Sequence, residues 1–171
     1  MENLKKVIRD VPDFPKKGIV FKDITPLLNN SKAFKETVDR LSSHFKNKKI
    51  HRVVSMESRG FIFGSAVAYK LNCGFVPVRK KGKLPYETIS ITYNLEYGQD
   101  TLEIHKDAIR QGENVLIVDD VLATGGTAKS VAEIVEKLGG KIVGLAFIIE
   151  LSFLKPRQKL KGYKIYSLIK Y

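Results

Sequence analysis

Apolar positions along the chain keep two different rhythms. Near the N-terminus Leu4, Val7, Ile8 and Val11 recur at helical spacing among Glu2, Lys5, Lys6, Arg9 and Asp10. This predicts an amphipathic helix over residues 1–10 and argues against a signal peptide. Residues 12–26 are punctuated by proline and glycine, yet Ile19, Val20, Phe21 and Ile24 are too apolar for a linker, so an ordered loop with a short strand is expected. Ser31 is placed to cap a helix with Phe34, Val38, Leu41 and Phe45 on its inner face. Beyond it, short apolar runs predict strands over 51–56, 75–79, 115–119 and 142–150, and helical patterns fall over 60–71 and 126–138. Strands alternating with helices predict one α/β domain spanning 1–171, with a central parallel sheet flanked by helices.

One stretch breaks the alternation. Between residues 80 and 110, Gly82, Pro85 and Gly98 interrupt a β-prone run over 88–95 that is interleaved with polar residues. A long excursion over the carboxyl edge of the sheet is expected there, holding a flexible β-hairpin loop at about 80–105. No internal repeat, low-complexity segment or second domain is visible.

Charge and cysteine content narrow the function classes. Lys and Arg number 30 against 18 Asp and Glu, a net charge of +12, which points to polyanionic partners. The excess is scattered lysine, and no RNP aromatic signature, zinc finger or helix-turn-helix accompanies it, so nucleic acid is not the expected ligand. No uncharged apolar run reaches the length of a membrane span. Cys73 is the only cysteine, and with His44, His51 and His105 it makes no metal-ligand spacing. A reducing, cytoplasmic setting is expected, with Cys73 as a small packing residue and no protein-held metal.

The most informative string runs over 115–127. Four apolar residues lead into Asp119 and Asp120, followed by Val121, Leu122, Ala123, Thr124, Gly125, Gly126 and Thr127. A buried parallel strand delivers two carboxylates to the edge where open α/β sheets bind ligands. The glycines let backbone amides converge, the threonine hydroxyls add donors, and a helix starts immediately after, which makes a monophosphate cradle. The acid pair suits vicinal ribose hydroxyls; two neighbouring carboxylates beside a buried strand are costly unless used. At 57–61 a second strand-to-helix turn presents Ser58 and Arg59 at the same edge, where a planar guanidinium fork offers paired donors; on the residues alone this is also read as a helix start with a surface arginine. Arg79, Lys80, Lys81 and Lys83 follow the next strand; on the residues alone this run is also read as a solvated loop, and Glu96 as an ordinary hairpin glutamate.

The string Asp119, Asp120 and Ala123 to Thr127 resembles the signature of the type I phosphoribosyltransferases. The likeness extends over nearly the whole chain, through residues 13–27, 57–61, 79–85, 95–98 and 102–105, to members of that family that act on adenine. The resemblance implies the type I phosphoribosyltransferase fold, with an N-terminal hood at about 12–28 and a flexible loop. It implies transfer of a 5-phosphoribosyl group from phosphoribosyl diphosphate to adenine, giving AMP and diphosphate, with Mg²⁺ held mainly through the donor and water, in a homodimer. Asp119, Asp120 and residues Ala123, Thr124, Gly125, Gly126 and Thr127 would bind ribose and the 5′-phosphate; Ser58, Arg59, Arg79 and Lys83 would bind diphosphate. Val20, Phe21 and Lys22 would hold the base, Lys22 standing where arginine is common and Lys17 where proline is often found. Glu96 would face the base, and Tyr97 would help close the loop. Two other readings keep the fold: a different base (guanine, hypoxanthine, xanthine or orotate), or a regulator that senses the donor and binds nucleic acid through its basic surface.

Overall fold

A computed structural model describes residues 2–94 and 99–171. The chain opens with helix α1 (Glu2–Lys5), then strands β1 (Arg9–Pro12) and β2 (Val20–Asp23), and helices α2 (Thr25–Asn29) and α3 (Ser31–Phe45). Strand β3 (Arg52–Met56), helix α4 (Arg59–Leu71) and strand β4 (Gly74–Lys80) follow. A hairpin of β5 (Thr88–Asn94) and β6 (Gln99–His105) leads to β7 (Asn114–Leu122), α5 (Gly126–Lys137), β8 (Lys141–Glu150) and β9 (Ile165–Lys170).

Seven strands form one sheet in the order β5-β6-β4-β3-β7-β8-β9, while β1 and β2 make a separate antiparallel ribbon. The pairs β4–β3, β3–β7, β7–β8 and β8–β9 are all parallel. Parallel strands at the centre must be covered on both faces, and strand alternation divides the core accordingly. Val53, Leu116 and Val118 pack on one side with Leu41, Phe63, Val67 and the ribbon's neighbours Leu4, Ile24 and Leu27. Val54, Val115 and Ile117 pack on the other with Val131, Ile134 and Val135 of α5.

Several expectations are corrected. The helix expected over 1–10 stops at Lys5, because Arg9, Asp10, Val11 and Pro12 pair with Asp23, Lys22, Phe21 and Val20. Asn30, not Ser31, caps α3: its side chain accepts from the Ala33 N–H at 3.0 Å. Strand β7 runs on to Leu122, since β8 supplies a ladder through Val121↔Ile149 and Leu122↔Glu150. The acid pair therefore lies inside the strand's last turn of pleat and not beyond its end. The hairpin at 88–105 is present, but β6 joins the sheet beside β4 through Arg79↔Glu103 and Lys80↔Leu102 instead of only lying over its edge. Helix α2 and strand β9 had no expected counterpart.

Candidate active site

The parallel order places the carboxyl ends of β3 and β7 side by side, and a helix starts from each. Neither α4 nor α5 has a side-chain cap at its N-terminus, and neither has an acidic residue in its first turn. Two such amide-lined, positive helix ends on adjacent strands suit a ligand carrying two separate phosphate groups. At the start of α5, Gly125 takes φ +82°, and a β-carbon there would come 2.7 Å from the Pro156 carbonyl oxygen, so both conformation and close approach require glycine. Ala123, Thr124, Gly126 and Thr127 are half-buried around it. The Tyr93 hydroxyl of β5 lies 3.5 Å from Thr127 Oγ1, which brings the hairpin against the cradle.

Asp119 and Asp120 sit at the floor between these helix starts. Asp120 is 5% exposed, and its Oδ2 lies 2.7 Å from Arg59 Nε without the alignment of a hydrogen bond. The acid pair is thus partly neutralised from within. Burial pushes the Asp119 carboxyl well above the usual aspartate range, and the neighbouring charge of Asp120 pushes it further. Burial raises Asp120 too, against the pull of Arg59. A β-carbon at position 60 would lie 2.5 Å from Asp119 Oδ1, so Gly60 leaves the room that this carboxylate occupies.

The cations fall into two groups. Arg59 belongs to the floor, and its guanidinium also lies 5.0 Å from the Phe21 ring centroid of the hood. Arg79 Nε and Lys83 Nζ instead hold the two oxygens of Glu57 at 2.7 and 2.8 Å. Burial would raise the Glu57 carboxyl, but the bonds from Lys83 and Arg79 outweigh it and keep the group below its usual range. Ser58 is exposed at the cap position of α4, and the Glu57–Ser58 peptide is cis.

The hood is the β1–β2 ribbon. Phe21 faces the floor and makes an edge contact with Phe14 at 5.2 Å, whereas Val20 is largely exposed. Lys22 points the other way, to Asp10 Oδ1 at 2.7 Å and to the Tyr171 ring at 3.9 Å. The lysine in place of arginine thus spends its charge behind the strand.

The structure brings Asp119, Asp120, Arg59, Phe21 and the 123–127 turn together. It sets Arg79 and Lys83 around Glu57, a residue given no role by the sequence. Glu96 and Tyr97 lie outside the described residues, as do Leu95 and Gly98. Tyr93 and Tyr171 were also missed. Tyr93 could have been found from the period-2 pattern, which puts it on the same face of the hairpin as Ile89 and Ile91, both packed against the α5 side of the core. Among the described residues no group of three His, Cys, Asp or Glu could hold a metal ion.

Comparison with known proteins bears on this geometry. A family model described as a phosphoribosyl transferase domain matches residues 25–169, a span that leaves out the hood ribbon and Tyr171. The adenine phosphoribosyltransferase of Thermotoga maritima is 59% identical over 169 residues, covering 99% of this chain and 98% of that one. A crystal structure of adenine phosphoribosyltransferase from Thermoanaerobacter pseudethanolicus superposes with a TM-score of 0.97 at 55% identity, covering 99% of both chains. The Saccharomyces cerevisiae enzyme, complexed with an imino-altritol bisphosphate and adenine, gives a TM-score of 0.92 at 44% identity over 98% of this chain and 97% of that one.

Proposed function

The chain belongs to the phosphoribosyl transferase family, and from that premise we propose that it transfers the 5-phosphoribosyl group of phosphoribosyl diphosphate to adenine, releasing AMP and diphosphate. The observation that carries the reading is the pair of uncapped helix starts flanking the Asp119–Asp120 floor, beneath a hood strand with a free edge.

The reaction breaks the bond from the anomeric carbon to diphosphate while an imidazole nitrogen of the base attacks, through a state with positive charge on the ribose. The 123–127 turn would anchor the 5′-phosphate through its amides and the Thr124 and Thr127 hydroxyls. The acid pair would accept from the ribose hydroxyls and favour positive charge on the sugar. Ser58 with the α4 N-terminus, and Arg59, Arg79 and Lys83, would neutralise the leaving group; for Arg79 and Lys83, binding exchanges Glu57 for diphosphate. Mg²⁺ held by donor oxygens and water would add neutralisation there. Glu96 would face the base, and Tyr97 would help exclude water.

The hood explains the choice of base. Pro12 has no N–H, so its pairing with Val20 suits the non-bonded type of antiparallel pair. The ladder bonds then fall to Val11↔Phe21 and Arg9↔Asp23, and the Val20 carbonyl and Lys22 N–H point outward together. Adenine offers its 6-amino group to the first and a bare ring nitrogen to the second. Hypoxanthine reverses both, and each buried unpaired group costs about 1–3 kcal/mol. Discrimination is then roughly 30-fold to more than 10⁴-fold.

A homodimer, which the family resemblance implies, belongs to the same proposal. No helix of the described residues is long and apolar enough to cross a membrane; a cytoplasmic location is our reading, supported by a single cysteine, which suits a reducing compartment. The deciding assay is diphosphate release with adenine, hypoxanthine or guanine as sole acceptor. Adenine alone should support turnover; comparable use of hypoxanthine would overturn the base assignment and leave the phosphoribosyl chemistry standing.

A further inference from the structure

Lys22 is buried to an unusual degree for a lysine in a surface ribbon, its side chain only 11% exposed. A lysine ammonium leaves water only for partners that replace its hydration. Here they are Asp10 Oδ1 at 2.7 Å and the face of the Tyr171 ring, whose centroid lies 3.9 Å from Nζ. A second ammonium, Lys5 Nζ, stands 4.2 Å from the same centroid and donates to the Lys170 carbonyl at 3.1 Å. Two cations and one carboxylate thus converge on a single aromatic ring.

The backbone that carries the ring is tied to the sheet beneath the floor. The Tyr171 N–H donates to the Glu150 carbonyl at 3.0 Å, and its carbonyl accepts from Ser152 at 2.8 Å. Glu150 is the residue of β8 that pairs with Leu122 of β7, three positions after Asp119. Strand alternation turns the Lys22 side chain away from Phe21 and the floor, so Tyr171 grips the hood strand from behind.

We propose that Tyr171 is a positioning residue for the base: with Asp10 it holds the Lys22 side chain, and so fixes the Val20 carbonyl and Lys22 N–H at the distance from the ribose site that adenine must span. This rests on the main-chain recognition of adenine proposed above. In this role Tyr171 acts through Lys22 and the hood strand. Its burial and the nearby Asp10 charge raise the phenol above its usual range, which keeps the ring neutral and attractive to both ammonium groups.

The test measures KM separately for adenine and for phosphoribosyl diphosphate, with melting temperature, in wild type, Tyr171→Leu, Tyr171→Phe and Asp10→Asn. Tyr171→Leu should raise KM for adenine about tenfold, the scale of one lost cation–π clamp that orders a binding strand. KM for the donor should stay within about twofold, because the floor is untouched. Tyr171→Phe keeps the ring and should restore wild-type behaviour, and Asp10→Asn should raise KM for adenine about threefold. An unchanged KM for adenine in Tyr171→Leu, or equal rises for both substrates, would overturn the proposal. If Tyr171→Leu does not fold, Asp10→Asn decides alone, since its carboxylate is 55% exposed and carries no packing; an unchanged KM for adenine there refutes the clamp. Failure of the underlying reading looks different: the wild-type protein itself would then show no preference for adenine.

Discussion

The floor and the hood hold ligands by opposite means. The floor is built into the sheet: Asp120 is buried, Asp119 sits against Gly60, and the cradle's Gly125 abuts the Pro156 carbonyl. Its charges are costly to keep, and the raised carboxyl equilibria of the pair record that cost. The hood is a two-stranded ribbon, too small to be stable alone. Ion pairs hold its two strands to each other, Arg9 with Asp23 at 2.6 Å and Lys22 with Asp10 at 2.7 Å, and the contact of Lys22 with the Tyr171 ring ties it to the sheet. A site that must fix a polyanion keeps its charges where nothing can move; a site that must admit and release a flat base uses main chain on a tethered strand. Disrupting the floor should therefore cost chemistry, and disrupting the hood should cost affinity for the base.

The largest effect is expected from Asp119→Asn combined with Asp120→Asn. Loss of both carboxylates should lower kcat/KM by about 10³-fold or more while the protein stays folded, since no core contact is removed. Wild-type turnover by the soluble double variant would remove the acid pair from the mechanism.

Gly60→Ala tests the floor through geometry alone. The new methyl would lie 2.5 Å from Asp119 Oδ1, so the carboxylate must leave its place. A displacement of this kind is expected to reduce kcat about 10²-fold, with circular dichroism unchanged. Full activity would mean that the position of Asp119 is not important.

The two regions also differed in how far the sequence disclosed them. The floor was legible because its chemistry is in side chains and is contiguous: a buried run, two aspartates, a glycine turn and a helix start all fall within residues 115–127. The central strands were legible for the same local reason. The hood's strand was visible in Val20 and Phe21, but its partner was read as a helix, because Leu4, Val7, Ile8 and Val11 keep helical spacing and the β1–β2 pairing is long-range. Tyr171 lies 149 positions from Lys22 by numbering, and no periodicity links them. Glu57 was hidden for a related reason, since its role depends on two cations brought from the end of the neighbouring strand.

A smaller effect should follow from Arg9→Ala. Arg9 grips Asp23 with Nε at 2.9 Å and Nη2 at 2.6 Å, but Arg9 is largely exposed. Exposed pairs contribute about 0.2–1 kcal/mol, so KM for adenine should rise no more than about fivefold, with KM for the donor unmoved. A fall in kcat instead would show that the hood takes part in chemistry and blur the contrast with the floor.

The smallest difference is one of sign, and it appears in stability against pH. Asp23 is lowered to about 2, chiefly by the Thr25 hydroxyl and N–H, with Arg9 adding to it. A depressed carboxyl stabilises the fold above its ordinary value of 3.8 and loses that contribution as pH falls towards 2. Between pH 5 and 8 Asp23 is ionised both folded and unfolded, so Asp23→Asn should show a melting deficit that is flat across this range, about a few degrees. Asp119 behaves in the opposite sense. Its folded equilibrium is raised by burial and by Asp120, so folding takes up a proton that the unfolded chain has released, and stability falls as pH climbs from 3.8 through the raised value. Asp119→Asn removes that penalty. Its melting temperature should gain on the wild type as pH rises, by about a few degrees, and then level off once Asp119 is ionised in the wild-type fold. Melting curves of the two variants and the wild type at half-unit steps check both signs: an advantage for Asp119→Asn that shrinks with rising pH would show that its carboxyl is held low, like that of Asp23, and the contrast between floor and hood would lose its electrostatic basis.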